Sequence, residues 1–123
     1  MFKLDLSSDD PIYLQIVVQT KDAIVSGFLK EGDQMPSIRE MAKTLLVNQS
    51  TVTRAYRELE ELGIIKTVAG RGTFIFLDSR KIKWEKEKMN EKLKSVFREC
   101  IFYEYTEDEI IKIYRETVEE GRK

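Results

Sequence analysis

The sequence predicts a mainly α-helical fold with a small β-hairpin, and three observations carry that prediction. Two strand-like runs, IIKTVA and TFIF, are separated by GRG, which is typical of a hairpin. The rest of residues 10–77 alternates helical apolar patterns with glycine and proline. Residues 79–121 contain no proline and reach their first glycine only at Gly121. That last segment is therefore predicted to be helical almost throughout.

The first helix is predicted to start within DDPIYLQIV. Asp10 can cap it, and Pro11 suits the first helical position, where no backbone N–H is needed. Gly27 marks its expected end. Its apolar face comprises Tyr13, Ile16, Val17, Ile24 and Phe28. Tyr13 is therefore interpreted as a helix-packing residue.

The next two predicted helices are short and closely spaced. Ser37 and Glu40 form a capping box that opens a helix over about residues 38–45. The third helix begins soon afterwards, with Asn48 or Ser50 as its cap. Two short helices joined by so tight a turn predict a helix-turn-helix. With the helix before them and the hairpin after them, they predict a winged helix-turn-helix.

The exposed face of the third helix is polar and basic. It comprises Gln49, Ser50, Thr51, Thr53, Arg54 and Arg57. No acidic residue occurs in this helix before Glu58, so its N-terminal turn suits insertion into the major groove of DNA. Gln49 can read adenine through its amide, and Arg54 or Arg57 can neutralise a phosphate or read guanine. An ordinary solvated helix face is the alternative interpretation of this one helix.

The charge of one segment supports nucleic-acid binding, whereas the net charge of the chain does not. The formal net charge of the 123 residues is −1, which gives no overall sign of such a partner. Between residues 37 and 57, however, Glu40 is the only acidic residue, and the basic residues are Arg39, Lys43, Arg54 and Arg57. Arg39 lies in the first turn of its helix, where a cation opposes the helix dipole. This placement indicates a phosphate or a base as its target, and a salt bridge to Asp33 or Glu40 is the plain alternative.

The segment AGRGTFI, residues 69–75, holds an arginine between two glycines. A nucleotide-binding loop would need Gly-x-x-x-x-Gly-Lys-Ser/Thr before a helix, or three spaced glycines between a strand and a helix. Here the glycines separate two strand-like runs, which favours a hairpin tip that exposes Arg71. Such a wing can reach a DNA backbone or a narrow minor groove. One of Phe74 and Ile75, in the strand that follows, is expected to face the core.

Composition excludes several other classes of protein. The chain has no histidine, so imidazole acid–base chemistry and the usual zinc sites are ruled out. A single cysteine, Cys100, excludes an internal disulfide framework. No nucleophile has an evident base, and we predict no catalytic residue, no metal site and no cofactor. No apolar run approaches the length of a membrane span and the N-terminus lacks a signal-peptide pattern, so a cytoplasmic location is the default expectation.

Residues 79–123 are predicted to form a helical dimerisation tail behind the winged helix-turn-helix of residues 1–78. Thr106 and Glu109 form a second capping box, which splits the tail into two helices. The residues expected at the dimer interface are Met89, Leu93, Val96, Phe97, Ile101, Ile110, Ile111 and Tyr114. Two helices of this size bury little on their own, so their apolar faces are expected to pair with a second copy.

The stretch PSIREMAKTLLVNQSTVTRAYRELEELGIIKTVAGRGTFI resembles the DNA-binding domain of the GntR family of bacterial transcription regulators. The resemblance runs from about Asp10 to about Leu77, and the short tail is similar to that of the YtrA-like subfamily. It implies that Arg39 reads a base or binds a phosphate. It also implies DNA contacts at the start of the recognition helix and in the wing, by Asn48, Ser50, Thr51, Thr53, Gly70, Arg71, Gly72 and Thr73. Gln49 and Ala69 stand where relatives commonly have an arginine or another basic residue, which bears on operator sequence and affinity.

Motif order and resemblance together predict a sequence-specific DNA-binding transcription regulator. We expect a dimeric repressor that binds a roughly palindromic operator, with double-stranded DNA and a second copy of the chain as its partners. A winged-helix protein-interaction module that does not bind DNA is the alternative. An enzyme has no supporting constellation of residues. The tail is too small to enclose a drug-sized ligand within one chain, and the dimer interface is left open as the place for an unidentified small-molecule effector.

Overall fold

The computed structural model describes residues 2–121, and the chain divides into two compact units. The first unit runs to Ile82 and the second starts at Lys83. The helices are α1 (Ile12–Val25), α2 (Ile38–Leu45), α3 (Gln49–Glu61), α4 (Ser79–Phe102) and α5 (Glu107–Gly121). The strands are β1 (Gln34–Met35), β2 (Ile65–Val68) and β3 (Gly72–Ile75). The predicted fold class, mainly α-helical with a small β-hairpin, is confirmed.

The sheet contains one strand that the sequence did not predict. Its order is β1-β3-β2, and both pairs of strands are antiparallel. In the added strand β1, Gln34 pairs with Phe74 and Met35 pairs with Thr73. Two residues are too few to show the alternation that identifies a strand, so β1 is created by its pairing with the wing.

The core of the first unit lies where α1, α2 and α3 meet the sheet. Its largest fully buried apolar side chains are Ile16, Met41, Leu59, Ile75 and Val52. Ile75 is therefore the residue by which the wing strand faces the core, whereas Phe74 is half-buried. Phe28 is exposed, contrary to the prediction. The reason is that Gly27, with a φ of 81°, turns the chain after α1 and brings Leu29 into the core instead.

The cap of α2 agrees with the sequence and that of α1 does not. Glu40 N–H donates to Ser37 Oγ and Ser37 N–H donates to Glu40 Oε1, each at 3.1 Å, so the first capping box is confirmed. At α1, Pro11 is the N-cap itself rather than the first helical residue, and no side chain caps the helix. The ψ of 152° at Pro11 is extended, so helical backbone starts only at Ile12.

The N-terminal segment lies along α1 through two glutamine side chains. The amide of Gln19 exchanges two hydrogen bonds with the backbone of Lys3, at 2.8 and 2.5 Å. The amide of Gln15 does the same with Asp5, at 2.8 and 2.9 Å, and also donates to the Asp10 carbonyl at 3.1 Å. Two residues of extended chain advance about 6.6 Å and four helical residues about 6 Å, so the spacings match.

The second unit holds most of α4 and the whole of α5. Glu109 N–H donates to Thr106 Oγ1 at 3.1 Å and Thr106 N–H donates to Glu109 Oε1 at 3.0 Å, which confirms the second capping box. Among the described residues, neither helix contains a buried side chain. Across residues 2–121, every helix is too short or too polar to serve as a membrane span.

Candidate nucleic-acid interface

The N-terminus of α3 presents unpartnered backbone donors. Asn48 occupies the N-cap position with φ −68° and ψ 145°, but its side chain makes no capping hydrogen bond, and Ser50 lies inside the helix. The predicted cap position at Asn48 is therefore confirmed, whereas the side-chain capping bond expected there is not formed. The N–H groups of Thr51 and Val52 bond the Asn48 carbonyl, at 3.1 and 3.5 Å. Within residues 2–121, the N–H groups of Gln49 and Ser50 have no acceptor, so a ligand can take these bonds.

Most of the predicted contact residues on α3 share one side of the helix. Successive side chains are about 100° apart, so five of the six fall within about 140° of the circumference. These five are Gln49, Ser50, Thr53, Arg54 and Arg57. The buried residues Val52, Ala55, Tyr56 and Leu59 lie on the other side. Thr51 is half-buried at the boundary between the two faces, so it is less well placed to reach a ligand.

Arg54 is held by an aromatic ring that the sequence did not link to it. Its Cζ lies 3.9 Å from the centroid of the Tyr13 ring, which is within the range of a cation–π contact. Tyr13 is half-buried and packs against the core, as predicted, so its ring is a fixed platform. Within the described residues, the guanidinium of Arg54 forms no hydrogen bond and no ion pair. Its N–H donors therefore remain open.

Arg39 is exposed in the first turn of α2. The plain alternative for Arg39, a salt bridge to Asp33 or Glu40, is not formed. The carboxylate of Asp33 accepts from the Lys30 N–H at 2.8 Å, and that of Glu40 is engaged in the capping box. Hydrogen bonds with the backbone N–H and the hydroxyl of Ser37 lower the pKa of Glu40, because they favour its charged form.

The wing turns at the glycines. The Arg71 N–H donates to the Val68 carbonyl at 3.0 Å and closes a tight turn, in which Gly70 has a φ of 76°. Gly72 has a φ of 122°, and a Cβ there would lie 2.6 Å from Nε2 of Gln34. That amide donates a long 3.4 Å hydrogen bond to the Arg71 carbonyl, which connects β1 to the tip. The side chain of Arg71 is exposed and contacts no acceptor within residues 2–121.

The root of the wing is joined to the C-terminal half of α3. The Thr67 N–H donates to the Glu60 carboxylate at 3.3 Å, and the hydroxyls of Thr67 and Thr73 lie 3.5 Å apart. Lys81 Nζ donates to the Glu60 carbonyl at 3.2 Å. Glu60 lies near the C-terminal end of α3, where a positive charge interacts favourably with the helix dipole. The side chain of Lys81 is thus bonded to the protein itself.

Three helices, a tight turn before an open helix N-terminus and a glycine-turned wing define a winged helix-turn-helix protein. Residues 12–75 match the family described as bacterial regulatory proteins, gntR family, and they make up more than half of the chain. The chain therefore belongs to the GntR family, as the resemblance predicted.

Individual relatives agree with this assignment. The chain is 48% identical over 75 residues to the HTH-type transcriptional repressor YtrA of Bacillus subtilis, which confirms the predicted subfamily; the match covers 61% of this chain and 58% of YtrA. The chain thus spans little more than half the length of the curated relatives it matches. The solved structure of a transcriptional antiterminator from Listeria monocytogenes EGD-e is 36% identical, with a TM-score of 0.88 over 100% of this chain and 93% of that one. The DNA-binding domain of AraR, solved with operator ORX1, is 26% identical with a TM-score of 0.52, over 61% and 92% of the chains.

Proposed function

We propose that the chain is a transcription regulator that binds duplex DNA through the N-terminus of α3 and the wing. The observation that carries this proposal is the open N-terminus of α3. Two backbone N–H groups there lack an acceptor in the described chain, and the Asn48 side chain does not cap them. Phosphate oxygens are the ligands that such a helix end prefers. The AraR domain in its operator complex supports the same role for this fold.

The proposed contact side chains have different roles. Arg39 and Arg71 are exposed and have no partner within residues 2–121, which supports the proposal that each neutralises a phosphate. Gln49, at the start of α3, is the candidate base reader, because a carboxamide can bond adenine through two atoms in the major groove. Binding to chromosomal DNA would place the protein in the cytoplasm, as the sequence predicts.

Salt dependence of binding tests this contact face. An operator duplex selected from a random pool is titrated with the parent protein and with Arg39→Ala and Arg71→Ala over a salt series. Each lost phosphate contact reduces the slope of log K against log[salt] by about 0.9. Arg98→Ala, an exposed arginine of α4 outside the proposed face, is the matched control and should keep the parent slope. If both test variants bind like the parent, the contact face is wrong. If the parent binds no duplex, the protein-interaction alternative is favoured.

The second unit supports the proposal that the regulator is a homodimer. Seven of the predicted interface side chains are 39–72% exposed in the single chain, namely Met89, Leu93, Val96, Phe97, Ile101, Ile111 and Tyr114, and Ile110 is half-buried. A soluble helix pair that leaves so much apolar surface in water calls for a partner. A second copy also places two recognition helices on one operator, which favours a roughly palindromic site. Sedimentation that shows only monomer at micromolar concentration would count heavily against the dimer.

Repression and effector control are further proposals. YtrA is described as a repressor, and a dimer seated on a promoter would repress by occluding it. For a small-molecule effector, one chain offers an open hollow of about 240 Å³ beside Phe97, Cys100 and Ile110. That volume lies below the usual range of ligand pockets, so a second copy would have to complete the site.

A further inference from the structure

We infer that Tyr13 is a positioning residue of the DNA interface, because its ring holds the guanidinium of Arg54 ready for a phosphate. This inference rests on the proposed function. It assigns a role in binding to a residue of α1, a helix that otherwise belongs to the core.

The contact between the two side chains has the geometry that this role needs. Arg54 Cζ lies 3.9 Å from the centroid of the Tyr13 ring. Stacking uses the flat face of the guanidinium and leaves its N–H groups, which lie in the plane, free to donate. Since none of those groups has an acceptor within residues 2–121, Arg54 can offer two parallel bonds to one phosphate.

The Tyr13 ring is held in place and the Arg54 side chain is not, so the ring restrains the arginine rather than the reverse. Tyr13 packs against the buried core, whereas Arg54 is exposed on the outer side of α3. An unrestrained arginine loses much side-chain freedom when it binds. The stack restrains Arg54 before DNA arrives, so less freedom remains to be lost and binding is stronger.

The other cations of the proposed interface lack such a platform. Within the described residues, the remaining cation–π contacts are Lys66 over Phe76 at 5.2 Å and Lys88 over Trp84 at 5.8 Å. Arg57, one turn further along α3, is exposed and has no aromatic partner there. Arg54 is therefore the cation of α3 that the protein orients in advance, and it should contribute more to affinity than Arg57.

A double-mutant cycle on Tyr13 and Arg54 tests the inference. The parent, Tyr13→Phe, Tyr13→Leu, Arg54→Ala and the Tyr13→Leu/Arg54→Ala pair are titrated with the operator duplex selected from a random pool, over a salt series. Tyr13→Phe keeps the ring and should bind like the parent. Tyr13→Leu should weaken binding about fivefold at an unchanged salt slope, because the charge is still present. Arg54→Ala should also lower the slope by about 0.9. In the Arg54→Ala background, Tyr13→Leu should cause no further loss.

Three outcomes overturn the inference while leaving the proposed function intact. They are equal losses from Tyr13→Leu in both backgrounds, a Tyr13→Phe variant as weak as Tyr13→Leu, and a Tyr13→Leu variant that binds like the parent. If Tyr13→Leu fails to fold, Tyr13→Met replaces it in the same cycle, with urea unfolding as the check. A parent protein that binds neither the selected duplex nor a mixed-sequence duplex overturns the proposed function and this inference together.

Discussion

The hydroxyl of Tyr56 donates a 2.7 Å hydrogen bond to the carbonyl oxygen of Pro36. Tyr56 lies on the buried side of α3, and Pro36 comes just before the capping box that opens α2. The bond therefore connects α3 to the start of α2, the helix before it. Burial raises the pKa of the Tyr56 hydroxyl well above its usual range, and the negative charge of Glu40 raises it further.

Alkaline pH should weaken the fold through Tyr56. The folded state holds this proton more tightly than the unfolded state, where the pKa is near its ordinary value of 10.0. The contribution of Tyr56 is therefore fully present below pH 10 and is lost as the pH rises toward the raised folded pKa. Tyr56→Phe should lower the free energy of unfolding by about 1 kcal/mol at pH 7 and flatten its decline above pH 10. Urea unfolding at pH 7 and above pH 10 measures the two effects. Tyr103→Phe, at an exposed tyrosine, is the control. Parallel declines in the parent and Tyr56→Phe would contradict the prediction.

Leu46→Gly should stabilise the protein. Leu46 follows α2 with φ 57° and ψ 46°, a left-handed conformation that is strained for a branched residue, and its side chain is 90% exposed. Glycine relieves that strain, and after its larger loss of chain entropy the net gain should be about 0.5–1 kcal/mol. Thermal unfolding measures the gain. Leu6→Gly is the matched control, because Leu6 is also exposed but does not have a positive φ, so it should show no gain.

Gln15→Ala should destabilise the first unit more than Gln19→Ala. Gln15 is only 8% exposed and makes three hydrogen bonds, to Asp5 and Asp10. Its loss leaves partly buried backbone groups unpaired, at a cost of about 2 kcal/mol. The bonds of Gln19 to Lys3 are exposed and water can replace them, so about 0.5 kcal/mol is expected there. Urea unfolding of the two variants gives the comparison, and equal losses would show that burial does not set the difference.

Phe97→Asp should dissociate the proposed dimer. A carboxylate in the apolar stripe of α4 would be buried without a partner at the interface, which is strongly unfavourable. Sedimentation at micromolar concentration should then give the mass of one chain, and operator affinity should fall. Val25→Asp, at an exposed apolar residue of α1 in the first unit, is the matched control and should remain dimeric. A dimeric Phe97→Asp protein would place the interface elsewhere.

Local chemistry made much of the fold predictable. Each capping box joins residues only three positions apart, namely Ser37 with Glu40 and Thr106 with Glu109. Both can therefore be predicted from the sequence alone. The same local reasoning failed at the start of α3, where Asn48 has the right residue type and position but its side chain makes no capping hydrogen bond. An asparagine at this position can bond either the helix N-terminus or a ligand, so its residue type alone does not predict its hydrogen-bond partner.

The sequence by itself determined the order of the helices, the turn at Gly70 and the residues that carry charge at the proposed contact face. These depend on neighbours within a turn or two of the chain, where spacing fixes geometry. Only the tertiary structure decided that β1 pairs with the wing, that Gln15 binds the N-terminal segment and that Tyr13 lies under Arg54. The partners in each case are far apart in the chain, and their meeting depends on how the core packs both α1 and the sheet against α3. Close packing allows few such arrangements, but no local sequence pattern predicts which of them forms.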